Sequence, residues 1–378
     1  MIKKTYRLQL ASPAFLGDAD QKGTWRTPPL KALIREWWRI AVAPQVAYEV
    51  GALKTQEKAL FGTAADDGSD GNQQSKIRLA LSDWRAGSCK QWEPGEARVT
   101  HPEVKDRNTG KERPVGAELY LGYGPLVFQQ GTQLNNGAAL QAKEENTLKL
   151  AHAEEHDEAL TLALTLAHWF GTIGGRSRNG WGSLGWEALA DTPTLPVLSK
   201  AALEHTGCSR PLARCLDLDW PHAIGTDAKG ALVWRSKDTF RDWRAAMKFL
   251  AQTKIGFRTQ EALQFRHGGP HPNAKKRQNG WQLHDSPEPR HVLAYPVTHH
   301  EVSPQLRRNG GGEADWGQDA RLANTLRFKL QREPDGSLRA LIYHTPCKPT
   351  LPHQGVDLLG TWQRVHDFLD NAALTRLP

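Results

Sequence analysis

One stretch of the sequence, residues 171–185, combines six glycines with Arg176, Arg178 and Trp181. Glycine tolerates positive φ and has no Cβ, so successive backbone N–H groups in such a loop can converge on an anion. Guanidinium groups neutralise phosphates, and an indole ring offers a face on which a base can stack. This combination favours a ligand that carries both phosphates and bases. The loop residues predicted to contact it are Gly174, Gly175, Arg176, Arg178, Asn179 and Trp181.

Other uses of a glycine-rich loop have different sequence requirements. A P-loop needs Gly-Lys-Ser/Thr after its glycines, and none follows here. A dinucleotide fingerprint opens a helix after a strand, whereas this loop follows a predicted helix at residues 155–170. The sequence therefore predicts no nucleotide cofactor. The simplest alternative is a helix-to-strand connection that needs only left-handed residues, although six glycines exceed what one turn requires.

A second cationic feature is a predicted helix at residues 30–42, at whose start Pro28 and Pro29 stand. Three cations recur there every four residues and therefore share one face of the helix. Their spacing of one turn, roughly 6 Å, suits a phosphate backbone, but a solvated helix face would show the same pattern. The residues of this helix predicted to contact the ligand are Lys31, Arg35, Trp38 and Arg39.

The composition agrees with a polyanionic partner. The chain of 378 residues has a formal net charge of +8 and a sequence pI near 9.3, so nucleic acid is the leading candidate. It contains 14 tryptophans, several of them beside an arginine, as in Trp84-Arg85 and Trp243-Arg244. Some of these rings must belong to the core, and others could stack on bases.

The cysteines and the apolar segments bear on the compartment. The four cysteines form no Cys-x-x-Cys pair and have no histidine at zinc spacing, which indicates neither a disulfide framework nor a structural zinc site. The N-terminus has no apolar h-region, and no segment approaches about 18 uninterrupted apolar residues. We therefore expect a cytoplasmic protein that has no contact with membranes and holds no metal or other cofactor.

The order of predicted elements indicates an α+β chain of two domains, residues 1–196 and 197–378. In the first domain, strands and helices follow a βαββαβ order, the ferredoxin-like arrangement that RNA-recognition domains also use. The second domain has the composition of another α+β unit with long loop insertions. The predicted strands lie at residues 5–10, 77–84, 118–124, 147–151, 181–189, 214–218, 291–297, 321–331 and 338–344. The remaining predicted helices lie at residues 237–253 and 356–369, and the long polar loops at residues 63–76, 100–114 and 258–290.

Several motifs together resemble the RAMP superfamily of CRISPR-associated proteins. They are the strand at residues 5–10 with Ser-Pro-Ala-Phe-Leu-Gly at 12–17, the Arg-Thr-Pro-Pro-Leu-Lys segment at 26–31 with Arg-Glu-Trp-Trp-Arg at 35–39, the Tyr-Leu-Gly-Tyr-Gly segment at 120–124, and the glycine loop. Within the superfamily they are most similar to the first-named subunit of the Cmr (type III-B) effector complex. The resemblance covers about the first half of the chain. One departure is Ala32, where the family usually has glycine.

The resemblance implies two ferredoxin-like (RRM-like) domains and assembly with other Cmr/RAMP subunits on a CRISPR RNA, near its 3′ end. It further implies a part in capturing complementary target RNA for antiviral defence. In the family the residue that cuts the target belongs to another subunit. The expected activity of this chain is therefore RNA binding without catalysis.

Three rival interpretations remain open. A RAMP-type endoribonuclease that processes CRISPR transcripts would use a histidine for acid–base catalysis, but the glycine loop and the first helix contain none. The His152-Ala-Glu-Glu155-His156 spacing fits a zinc site of the inverzincin type, although glutamates there also suit the start of a helix. The third is a scaffold that does not contact RNA.

Overall fold

The computed structural model describes residues 1–20, 22–63, 73–106, 108–135, 138–277, 280–303, 316–317 and 319–377. The elements of the first half are β1 (Ile2–Leu10), α1 (Thr27–Val42), α2 (Val50–Phe61), β2 (Arg78–Leu81), β3 (Arg98–Lys105), β4 (Glu112–Gly116), α3 (Ala117–Gly122), β5 (Leu126–Phe128), β6 (Thr132–Leu134), β7 (Glu145–His152), α4 (Asp157–Phe170) and β8 (Leu184–Leu189).

The second half begins with short elements and continues into a second large sheet. Its elements are α5 (Lys200–His205), β9 (Ser209–Pro211), α6 (Leu212–Cys215), β10 (Ile224–Asp227), β11 (Gly230–Ala231), β12 (Val233–Ser236), α7 (Trp243–Thr259), β13 (Gly269–Pro270), β14 (Gln282–His284), α8 (Pro289–Leu293), β15 (His300–Val302), β16 (Leu326–Arg332), β17 (Leu338–His344), α9 (Leu358–Asn371) and β18 (Leu374–Arg376). Short 3₁₀ turns lie at Ala43–Val46, Glu154–His156 and Glu261–Leu263.

The sheet of the first half has the strand order β2-β7-β1-β8, and each neighbouring pair is antiparallel. Strand β1 forms because its apolar residues alternate: Tyr6, Leu8 and Leu10 are buried, whereas Arg7 is exposed. Helix α1 packs against α4, so that the two connecting helices form a layer beside the sheet. The predicted strand at 5–10 and the predicted helix at 30–42 are thereby confirmed.

The sheet of the second half repeats this arrangement. Its strand order is β16-β17-β12-β18, again with antiparallel neighbours. Helix α7 lies between its first and second strands in chain order, and α9 between its third and fourth. In both halves the strands therefore stand side by side in the order second, third, first, fourth.

The two halves share apolar packing. One cluster combines Trp181 from the glycine loop with Met247 and Leu250 from α7 and Phe328 from β16. Another brings Tyr343 of β17 to Trp37 of α1. The domain boundary between residues 196 and 197 stays a prediction. Buried apolar residues from both sides of it pack in the same clusters.

Four predicted elements are wrong. The predicted loop at 100–114 is largely the paired strands β3 and β4, in which Val99 and His101 are buried. The predicted strand at 118–124 is α3, whose Ala117 and Leu121 lie one turn apart and are both buried. The predicted strand at 214–218 has its first two residues in helix α6. The predicted strand at 291–297 has its first three residues in helix α8. Residues 64–72 of the predicted insertion lie outside the described part of the chain.

Within the described ranges, no helix has the length and apolar character that crossing a membrane requires.

Candidate nucleic-acid interface

The glycine loop connects the end of α4 to the start of β8 and runs through left-handed backbone. Gly174, Gly180 and Gly182 have φ of +88°, +91° and +63°, and Arg176 itself has φ of +56°. At Gly182 the backbone comes so close to Ile173 that a Cβ would lie 1.9 Å from its carbonyl oxygen. Glycine is therefore required at this position for steric as well as conformational reasons.

Arg176 is the accessible cation of the loop. Its residue is exposed, and its guanidinium makes no hydrogen bond or ion pair with the described residues. It lies beside the end of α3, where a Cβ on Gly124 would be 3.4 Å from its Nη2. Burial lowers the pKa of Arg176, and the neighbouring Tyr123, which is 65% exposed, lies close enough to oppose that shift. A free guanidinium and an exposed aromatic ring thus stand side by side, as phosphate and base recognition require.

A pocket of about 460 Å³ lies next to this pair. Its walls include Phe15, Gly124, Asn135 and Gly175. Gly175 is held there because its N–H donates to the carbonyl of Phe15 at 2.9 Å. Gly174 is exposed and Gly175 half-buried, so the backbone of the loop is open to a ligand on this side.

Arg178 and Asn179 fasten the loop to other elements. Arg178 Nη1 donates to the carbonyl of Asn324 at 3.2 Å, and burial, reinforced by the positive charge of Arg327, lowers the pKa of Arg178. Asn179 donates to the carbonyl of Leu121 at 2.8 Å and accepts from Lys254 Nζ at 2.8 Å. Both side chains are half-buried, and their partners fix the loop against both halves of the chain.

The stacking face predicted for Trp181 is not available. Its indole is completely buried among Phe15, Trp92 and Trp243, whose ring centroids lie 5.0, 5.6 and 5.7 Å away. We call these four side chains the aromatic cluster. Trp38 is also buried, and its ring meets that of Phe61 edge-on at 5.5 Å. Both indoles are core groups, because a face that packs against other rings cannot receive a base.

The cations of α1 point toward α2 and are already engaged. Lys31 Nζ donates to the carbonyl of Phe61 at 2.8 Å. Arg35 and Arg39 both pair with the carboxylate of Glu57, which Arg39 grips with Nε and Nη2. Burial alone would raise the pKa of Glu57, but the hydrogen bonds and charges of Arg39 and Arg35 outweigh it and hold that pKa below its usual value. The side chains of Arg35 and Arg39 nevertheless stay about two-fifths exposed.

Glu36 links the helix to the loop. It forms an ion pair with Arg327 at 2.5 Å, and its charge also acts on Arg39 and Arg178. The charge of Glu36 thereby brings α1 close to Arg178 of the loop. Within the described residues, Lys31, Arg35 and Arg39 make no hydrogen bond or ion pair with the loop.

We expect Glu57→Gln to lower the free energy of unfolding by roughly 1–3 kcal/mol at pH 7, because two guanidinium groups lose a charged acceptor. Since the folded-state pKa of Glu57 is lowered, the difference from wild type is full above the unfolded-state pKa. It disappears as the pH falls through the lowered folded-state pKa. Urea unfolding at several pH values measures this difference.

Glu187→Gln is the matched control, because Glu187 forms only an exposed pair with Arg7 at 3.2 Å and should cost less than about 1 kcal/mol. A measurement of RNA affinity tests whether the cations of α1 contact RNA or only stabilise the packing of α1 against α2. If Arg35 and Arg39 can reach RNA, Glu57→Gln should strengthen binding. An unchanged affinity assigns them to packing alone.

The histidines of the zinc-type motif do not converge. His152 Nδ1 faces the carbonyl of Ala153 at 2.9 Å, while His156 Nε2 lies 3.2 Å from Glu155. Over the described ranges, no three His, Cys, Asp or Glu side chains are grouped so that they could hold a metal ion.

Sequence comparison finds no protein-family model and no curated protein that matches the chain. Structural comparison finds Cmr1 from Pyrococcus furiosus in its apo form, with 13% identity, coverage of 100% of this chain and 99% of that chain, and a TM-score of 0.45. A chain of the type III-B Cmr-beta complex bound to cognate target RNA has 10% identity, coverage of 91% and 94%, and a TM-score of 0.45. A chain of a type IV-B CRISPR complex has 15% identity, coverage of 52% and 96%, and a TM-score of 0.30.

Proposed function

We propose that this chain is the RNA-binding subunit of a type III-B CRISPR (Cmr) ribonucleoprotein effector complex. It would lie near the 3′ end of the CRISPR RNA and help to capture complementary target RNA in antiviral defence. The observation that carries RNA binding is Arg176, an exposed guanidinium without an ion-pair partner among the described residues, on an open glycine loop beside the exposed ring of Tyr123. The assignment to the Cmr complex is supported by the RAMP-like motifs of the sequence.

We infer that each half of the chain is a ferredoxin-like unit. The support is the shared order of four antiparallel strands, β2-β7-β1-β8 and β16-β17-β12-β18, with a helix after the first and the third strand of each set in chain order. The remaining strands would then be insertions into, or connections between, these two units.

We further propose that the chain binds RNA without cutting it. His168 is the histidine nearest in sequence to the glycine loop, and its pKa is lowered to about 4, mainly by burial and also by the charge of Lys329. General acid–base catalysis near neutral pH needs a group whose pKa lies near the working pH. His168 is poorly matched to that task.

Two measurements on the purified full chain test this proposal. The first asks whether the chain expressed with its neighbouring genes co-purifies with a CRISPR RNA and with other RAMP subunits, as expected. The second incubates the chain alone with repeat-containing RNA, which should stay intact. Cleavage by the chain alone would favour the endoribonuclease. Absence of both RNA and partner subunits from the purified material would overturn the proposal.

A further inference from the structure

Resting on the proposed RNA-binding function, we infer that Arg176, Lys254 and Arg258 form a binding site for one phosphate of the RNA strand, where the glycine loop meets α7. We call these three residues the junction cluster. They come from the first and the second half of the chain, so the site would belong to neither half alone.

The geometry gathers three cations at one place. Lys254 Nζ donates to Asn179 of the glycine loop at 2.8 Å and lies 5.7 Å from the ring centre of Tyr120. Arg258 follows Lys254 by one turn of α7, so the two side chains share a face. Arg176 approaches from the loop, near enough that its charge acts on the Lys254 ammonium.

The junction cluster has no carboxylate of its own. Arg258 is only 8% exposed, yet its guanidinium makes no hydrogen bond or ion pair with the described residues. The nearby acid is Glu103, and both of its oxygens are taken by the guanidinium of Arg290. A buried cation without an anion is costly, so a phosphate that enters here would relieve an existing penalty.

The charges around Lys254 also predict how binding depends on pH. Burial, with the positive charges of Arg258 and Arg176, lowers the pKa of Lys254 to about 7. The surrounding groups are Asn179 from the loop and Tyr120 from α3, while His101 and Glu103 from β3 and Arg290 from α8 surround Arg258.

Burial lowers the pKa of His101 below its ordinary 6.5, so it stays neutral between pH 7 and 8.5. Lys254 is then the group of this set that titrates in that range. A bound phosphate raises its pKa, and binding above pH 7 must take up a proton. RNA affinity should therefore fall as the pH rises above 7.

The experiment measures the affinity of the full chain for a labelled single-stranded RNA by fluorescence anisotropy at pH 6.5, 7.5 and 8.5, at one salt concentration. Wild-type affinity should fall by up to about tenfold from pH 7.5 to 8.5, since at most one proton is linked. Lys254→Met should weaken binding by about three- to tenfold at pH 6.5 and flatten the pH profile. Lys254→Arg should keep the affinity and also flatten the profile, because arginine does not titrate in this range.

Lys248→Met is the matched control, since Lys248 lies exposed on the same helix and its loss should leave the pH profile unchanged. Arg258→Met should weaken binding and move the fall in affinity to higher pH, because Arg258 lowers the pKa of Lys254. A wild-type profile that is flat, with Lys254→Met binding as tightly as wild type, would overturn the site and leave the proposed function intact. Failure of the wild type to bind RNA would remove the function itself. Normal RNA affinity of Lys254→Met with lost assembly would identify a carboxylate of a partner subunit as the occupant instead.

Discussion

Arg176→Glu is expected to raise the dissociation constant for single-stranded RNA by about 10- to 100-fold at low salt, because it replaces an attractive charge with a repulsive one beside the backbone phosphates. The slope of log affinity against log salt should fall in magnitude by about one, as one phosphate contact is lost. The side chain is exposed and unpaired within the described residues, so stability should hardly change. Anisotropy titrations at several salt concentrations give both quantities.

Arg78→Glu is the matched control for this change. Arg78 is exposed on β2, the edge strand of the first sheet opposite β8, which the glycine loop precedes. The two variants carry the same change in net charge. If Arg78→Glu weakens RNA binding as much as Arg176→Glu, the loss reflects the overall charge of the protein, and the loop has no special role.

Trp181→Ala is expected to lower the free energy of unfolding by about 3–5 kcal/mol, the usual cost of deleting a large aromatic side chain from a packed core. The indole is completely buried within the aromatic cluster, and alanine would leave a cavity there. Chemical denaturation followed by circular dichroism measures the effect. RNA binding should be lost only under conditions where the variant is unfolded.

Trp84→Ala supplies the comparison, since Trp84 is 62% exposed and its removal should change stability by less than about 0.5 kcal/mol. The stacking interpretation of Trp181 makes the opposite prediction. A Trp181→Ala protein with wild-type stability but weakened RNA binding would restore that interpretation and contradict the buried position.

The long elements were predictable because their apolar spacing is unambiguous. The alternation in β1 and the buried stripe of α1 gave the correct type and nearly the correct bounds. The α3 segment is different, because a short apolar run such as residues 118–124 fits either a strand or a helix. Packing of Ala117 and Leu121 against the core decided the outcome.

The cationic residues of the site could be predicted from the sequence, but the groups with which they pair could not. The four-residue repeat of Lys31, Arg35 and Arg39 was visible, but the sequence does not reveal that Glu57 in the following helix faces them. The sequence also could not show that the ring of Tyr123 is exposed and that of Trp181 buried, because composition does not tell a buried ring from an exposed one.

The junction cluster was missed because the helix was predicted about six residues too early. One signal could have placed it: Asp242 caps α7 by accepting from the N–H of Ala245 at 2.9 Å, and an aspartate before an apolar repeat is a helix-start signal. A helix that starts there carries Lys254 and Arg258 in its last two turns.

The glycine loop is also joined through its main chain to the far half of the molecule. The N–H of Phe328 in β16 donates to the carbonyl of Arg178 at 3.0 Å, and a side chain at Gly180 would abut Leu250 and Met247. A fragment that stops near residue 196 would lose these contacts, and its glycine loop would no longer be held in place by the second half. If one half of the chain is exchanged between homologous proteins, we therefore expect the glycine loop to keep its conformation only when the contacting residues of α7 and β16 are transferred with it.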